Sequence, residues 1–277
     1  MKGEGMGEQE DVPAGIDPNT PSVARMYDYY LGGKDNFASD RAAAEQFMRV
    51  VPGIREMTRA NRAFLSRVVD LLVRQGVRQF LDIGSGLPTQ DNVHQVAHRI
   101  APDTRVVYVD NDPIVLVHGR ALLEDNHLTS VVQGDMREPE KLLTDPQIES
   151  AVDFTQPVAV LLISMLHFIP DDALVAHIIT TIRERLAPGS HLIVTHAFEA
   201  NVSAEVHEAG QQVYRSTSAG ALTSRGPEQL AELLSGMELL EPGIVPVEAW
   251  RSEYNEYGEK ITVDFTKPGI LGVVGRS

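Results

Sequence analysis

The sequence predicts an α/β fold: a doubly wound, seven-stranded and mostly parallel sheet behind an N-terminal helical cap. Three observations carry this. From Val77 onward, short apolar runs alternate with amphipathic segments. Those runs are apolar throughout, as strands covered on both faces are. Before Val77 only helical spacing is found. The 277 residues, 43% apolar and 23% charged, suffice for a sizeable core.

The elements follow in order. Residues 1–16 are Gly-rich and acidic with almost no large apolar group, so a flexible tail is expected there. Residues 17–76 are read as the cap. Val23, Met26, Tyr27, Tyr30 and Leu31 recur at helical spacing until Gly32-Gly33 breaks the pattern. Ser39 or Asp40 can cap a second helix over Arg41–Val51, which ends before Pro52-Gly53. A third runs from about Glu56 to Gln75, with Gly76 as its C′ residue. The sheet domain occupies 77–277. Its first five strands are expected at Arg78–Ile83, Arg105–Asp110, Ser130–Gln133, Val158–Ser164 and His191–Phe198. Helices are expected at Asp91–Ile100, Asp112–Glu124, Asp172–Leu186 and Pro227–Leu234. Asp112-Pro113 reads as an N-cap followed by Pro at the first helical position. Two late strands, one within Leu239–Trp250 and one at Ile270–Gly275, complete the seven.

Composition narrows the function. Lys+Arg number 24 against 39 Asp+Glu, a net charge of −15, and no basic run interrupts it. Such a chain repels phosphate backbones, which argues against nucleic acid as a partner. With no cysteine, thiolate catalysis, Cys-ligated zinc, iron–sulfur clusters and disulfides are all excluded. The acidic start lacks the apolar run of a signal peptide, and Val158–Leu166 is far shorter than the ~20 residues of a membrane helix. A soluble cytoplasmic protein without a membrane partner is expected.

The chemistry sits at strand ends. The first strand runs into Asp82-Ile83-Gly84-Ser85-Gly86-Leu87-Pro88-Thr89, where two glycines permit a sharp turn and close approach of a ligand to the backbone. A dinucleotide fingerprint would place a third Gly where Thr89 stands. The second strand ends at Asp110, followed by Asn111-Asp112, and a carboxylate there can accept from both ribose hydroxyls of a nucleoside. The third ends in Gly134-Asp135-Met136, where a carboxylate can accept from an adenine amine and a thioether can lie on the ring, although Gly-Asp is also a common turn. The fourth ends in Ser164-Met165-Leu166-His167, a polar break after a buried strand.

Together these strand ends resemble the class I S-adenosylmethionine-dependent methyltransferases over about residues 77–277. More narrowly, the chain resembles a bacterial S-adenosyl methyltransferase family of unestablished substrate. The residues that carry this are Ala24-Arg25-Met26-Tyr27-Asp28-Tyr29-Tyr30-Leu31-Gly32-Gly33-Lys34-Asp35-Asn36-Phe37, Arg59-Ala60-Asn61-Arg62-Ala63-Phe64 and Gly272-Val273-Val274-Gly275-Arg276. The resemblance implies a Rossmann-like sheet of six parallel strands and one antiparallel. It also implies S-adenosylmethionine as cofactor. Asp82, Gly84 and Gly86 would face its methionine moiety, Asp110 its ribose and Asn111 the adenine. Asp135 and Met136 would flank the adenine edge and face, with Ser164 and Met165 near the sulfonium. Pro88 departs from the third glycine many such enzymes carry.

The remaining candidates are ambivalent. Arg62 can hold the cofactor carboxylate or point outward. Tyr27 and Tyr30 can close over the site or serve the core, and the polar Gly32–Asn36 loop is the better functional candidate. His94 and His98, four apart, lack a third ligand, so no metal is expected. His167 is the general-base candidate, with a structural histidine as the alternative. The function read from this is methyl transfer to a small-molecule acceptor. The alternatives are an NAD-dependent oxidoreductase and a non-catalytic S-adenosylmethionine-binding protein.

Overall fold

The computed structural model describes residues 17–88, 91–123, 127–254 and 257–277. The expected tail at 1–16 and Thr89 lie outside these residues. Helix α1, Val23–Leu31, stops at Gly32, which takes φ +85°. Helix α2, Ala38–Val50, begins earlier than expected, because Phe37 and not Ser39 or Asp40 is the N-cap residue. Asp40 lies three residues in, and its carboxylate reaches back to accept from the Phe37 N–H at 2.7 Å. The same buried carboxylate accepts from the Ser22 N–H at 2.8 Å and Arg25 Nε at 2.7 Å, which ties the starts of α1 and α2 together. Helix α3, Ile54–Arg74, ends before Gly76, whose φ of +98° fits the C′ role.

The sheet follows: β1 Gln79–Ile83, α4 Val93–His98, β2 Arg105–Asp110, α5 Pro113–Leu123, β3 Thr129–Gln133, α6 Pro139–Leu143, α7 Pro146–Ala151 and β4 Ala159–Ile163. A short 3-10 turn, Leu166–Phe168, leads to α8 Asp172–Arg185 and β5 His191–Phe198. The chain closes with α9 Ala204–Arg215, α10 Pro227–Leu233, β6 Glu238–Leu239, β7 Val245–Pro246 and β8 Gly269–Arg276. Strand order is β3-β2-β1-β4-β5-β8-β6, with β7 also on β8. Strands β1 to β5 pair in parallel, and β8 enters antiparallel to β5. The expected sixth strand is split into β6 and β7, which pair with opposite ends of β8. The count of eight is thus the expected seven with one edge strand in two pieces.

Successive strand residues feed opposite layers. Phe80, Val106, Ala159 and Leu161 pack with Phe64, Val68 and Leu72 of α3 and with α4. Leu81, Val107, Val160 and Leu162 pack with Ile148 of α7 and Val175, Ile178 and Ile179 of α8. Strands apolar on both faces are covered on both faces, and α3 serves as one of the covering helices. Helices α1 and α2 instead join α9, through Met26, Tyr30, Phe47, Val213 and Tyr214. Helices α6, α7 and α9 were not anticipated from the sequence.

Candidate functional site

The carboxyl ends of β1, β2 and β4 open into one cavity of about 350 Å³, roofed by α1 and flanked by the α2–α3 elbow and α9. The β1–α4 turn forms its floor. Gly84 N–H donates to Val109 O at 2.7 Å and has φ +77°, while a Cβ on it would sit 2.3 Å from the Met165 side chain. Glycine is therefore favoured there by conformation, and any side chain would also have to displace Met165. Gly86 has φ +66° with open space where a Cβ would point, and its N–H donates to Asp110 Oδ2 at 2.9 Å. Asp110 Oδ1 accepts from the Asp112 N–H at 2.9 Å. Asp110 thus braces both the glycine turn and the start of α5. Burial pushes its carboxyl up to about 6, against the hydrogen bonds from Asp112 and Gly86.

Asp82 stands beside it on β1, opposite Tyr108 of β2. Burial pushes Asp82 up to about 7; the Arg62 guanidinium opposes this and Asp110 adds to it. Arg62 lines the cavity and donates to Asp91 O at 3.0 Å, so it faces the site. The preceding residue, Asn61, donates through Nδ2 to Tyr27 Oη and to Ser164 Oγ, both at 3.0 Å. Ser164, at the end of β4, has φ +56°, a conformation held by its N–H donating to Thr195 Oγ1 at 2.8 Å. Strained non-glycine backbone is tolerated where a site requires it. Tyr27 and Tyr30 both line the cavity, and Tyr30 is also part of the α1–α2–α9 core.

Asp82, Gly84, Gly86, Asp110, Asn111, Ser164, His167 and Arg62 all line this one cavity; Asp135 and Met136 do not. Asp135 pairs with Arg137 and accepts from the Asn111 side chain. Met136 is packed into the core between the sheet and α6–α8. His94 and His98 are engaged elsewhere, His94 Nδ1 with Tyr108 Oη at 2.8 Å and His98 Nε2 with Thr104 O at 2.8 Å. Among the described residues, no group of three or more His, Asp and Glu side chains is placed to hold a metal. Nor is any of their helices long and apolar enough to cross a membrane.

His167 sits in the 3-10 turn after β4. Its Nδ1 accepts from the Ala197 N–H at 3.2 Å, which leaves the ring proton on Nε2. Burial, then His196 and Arg225, hold its pKa well below the usual histidine range, so the ring is neutral. Arg225, itself buried, donates to Leu166 O, Ile169 O and Asp172 Oδ1 and fixes this turn. Sequence reasoning missed Tyr27–Asn61–Ser164 as a linked set, and it missed the α9 wall. Val206, Gly210 and Val213 at helical spacing were the available signal for α9.

This geometry has counterparts. The model of the S-adenosyl methyltransferase family matches residues 9–276. A candidate methyltransferase from Thermobifida fusca YX is 38% identical, covering 96% of this chain and 98% of its own, with a TM-score of 0.86. A DUF574 family protein from Streptomyces avermitilis MA-4680 is 34% identical, covering 94% and 99%, with a TM-score of 0.85. The mitomycin 7-O-methyltransferase MmcR, 16% identical over 95% of this chain and 74% of its own, shares the fold at a TM-score of 0.51. Among curated proteins none matches. With its whole sheet and its glycine-turn cavity inside the matched span, the chain belongs to the S-adenosyl methyltransferase family and is an S-adenosylmethionine-dependent methyltransferase.

Proposed function

We propose that S-adenosylmethionine binds in the 350 Å³ cavity and that the methyl acceptor is a small molecule. The observation that carries this is the convergence of Asp82, Gly84, Gly86, Asp110, Asn111, Ser164 and Arg62 on that single cavity. The groups suit the ligand. Asp82 and Arg62 offer a carboxylate and a guanidinium to an α-amino acid's ammonium and carboxylate. Each Asp110 oxygen accepts one backbone N–H and keeps capacity for a ribose hydroxyl. Asn111 stands at the adenine end, and Asp135 supports it as an acceptor.

Bound there, S-adenosylmethionine supplies a methyl group already activated on a sulfonium. The protein's residues then have to align and enclose. Ser164, fixed by Asn61 and Thr195, shapes the wall at the β4 end. In this reading His167 is a hydrogen-bond donor through Nε2–H and not a base, because Nδ1 is already occupied. The enclosing helices and the −15 charge favour a small acceptor over nucleic acid.

A thermal-shift titration tests this. S-adenosylhomocysteine at 100 times its Kd stabilises the fold by ~2.7 kcal/mol, whereas NAD gives no shift. A saturable shift with NAD and none with S-adenosylhomocysteine would overturn the reading.

Binding is also expected to depend on pH. A ligand ammonium needs ionised Asp82, whose pKa is about 7. The ionised fraction rises about tenfold from pH 6 to pH 8, so Kd falls by about the same factor, and Asp110 contributes about twofold more. Calorimetry with Asp82→Asn should leave only the roughly twofold Asp110 part of this slope; a flat Kd in the unsubstituted protein would count against the Asp82 role.

A further inference from the structure

We infer that the acceptor is an elongated, largely apolar ring compound with a hydrogen-bond donor at the end remote from its nucleophile, and that Glu199, oriented by His207, reads that donor. The inference rests on the cofactor placement proposed above. Beyond the glycine turn the cavity continues between the α2–α3 elbow and α9, where Val50, Ile54, Met57, Phe168, Val206 and Leu222 form its wall. A surface of this kind favours flat apolar bodies.

Polarity returns at the far end. Glu199 is the first residue after β5, and His207 lies in the first turn of α9. Both line the cavity, with Nδ1 and Oε2 2.6 Å apart. A carboxylate only accepts, so the Nδ1 proton points at Glu199 and orients it. The second carboxylate oxygen is left as an acceptor. The Glu199 carboxylate therefore selects an ammonium, amine or hydroxyl and repels a carboxylate. The −15 charge acts in the same direction.

Strand β5 supplies the scale. Thr195, which holds Ser164, marks the cofactor end of the chamber, and Glu199 lies four residues further on. At ~3.3 Å per residue this spans ~13 Å, the length of two fused rings with a substituent at each end.

Calorimetry on the full chain saturated with S-adenosylhomocysteine tests this with three probes: 6-(aminomethyl)naphthalen-2-ol, naphthalen-2-ol and 6-hydroxynaphthalene-2-carboxylate. The aminomethyl compound is expected to bind at least tenfold more tightly than naphthalen-2-ol, and the carboxylate most weakly. In Glu199→Gln that preference should fall below twofold, with naphthalen-2-ol binding as before. Equal binding of the first two probes, or a preference that survives in Glu199→Gln, overturns the role of the carboxylate. Binding of none of the three overturns the acceptor class. Failure of the cofactor reading shows separately, as absence of S-adenosylhomocysteine binding before any probe is added.

Discussion

Asp110→Ala abolishes the thermal stabilisation by S-adenosylhomocysteine. In the parent protein the carboxylate can serve two ligand hydroxyls while bracing Gly86 N–H and Asp112 N–H. Each hydrogen bond to a charged group contributes about 1.5–3 kcal/mol. Loss of two therefore weakens binding by at least about a hundredfold. At the concentration that stabilises the parent by ~2.7 kcal/mol, the variant shows almost none. The unliganded fold itself should tolerate the change. A carboxyl whose folded pKa is raised to about 6 reduces stability as pH rises from the unfolded value through 6, so removing it relieves that cost at neutral pH. Asp110→Asn keeps an acceptor for the glycine turn and should bind with intermediate affinity. A full shift in Asp110→Ala would remove the residue from the site.

Asp40→Ala is the largest expected loss of stability. Asp40 is fully buried and its partner Arg25 nearly so, with 0% and 4% of their side chains exposed. Truncation leaves the guanidinium with only the Thr20 and Asp17 carbonyls and orphans the Ser22 and Phe37 N–H groups. Breaking a buried pair in this way costs about 3–5 kcal/mol. For a domain of this size that lowers Tm by about 10 °C. Arg25→Met combined with Asp40→Ala should be less destabilised than Asp40→Ala alone, because no unpaired charge remains. Scanning calorimetry on the three proteins decides it; a Tm within about 2 °C of the parent would mean that the contact contributes little.

Much of the architecture was legible because the first five strands have apolar centres, with polar residues at or next to their carboxyl ends. Asp82, Asp110 and Ser164 mark where a ligand meets the sheet, and all three reach the cavity. Helix phase could have resolved Arg62: Thr58, Arg62 and Leu65 recur at i, i+4 and i+7, and all three line the cavity. Strand position does not fix a rotamer, however. Arg137, two residues on, captures the Asp135 carboxylate, and Met136 turns into the core. Helices α6 and α7 have five and six residues, too short for a helical period to show. In α9 the pattern is present but sparse, since its polar face carries Glu205, Glu208 and Arg215.

The divided sixth strand bears on self-association. An intact edge strand presents a row of free N–H and C=O groups to which another chain can add a strand. Here the ladder beyond β8 consists of two two-residue pieces, interrupted around Pro242, and the second piece ends in Pro246, which has no N–H to donate. This margin of the sheet therefore offers no continuous template for β-addition, and copies of the protein that meet there at high concentration cannot zip into a shared sheet.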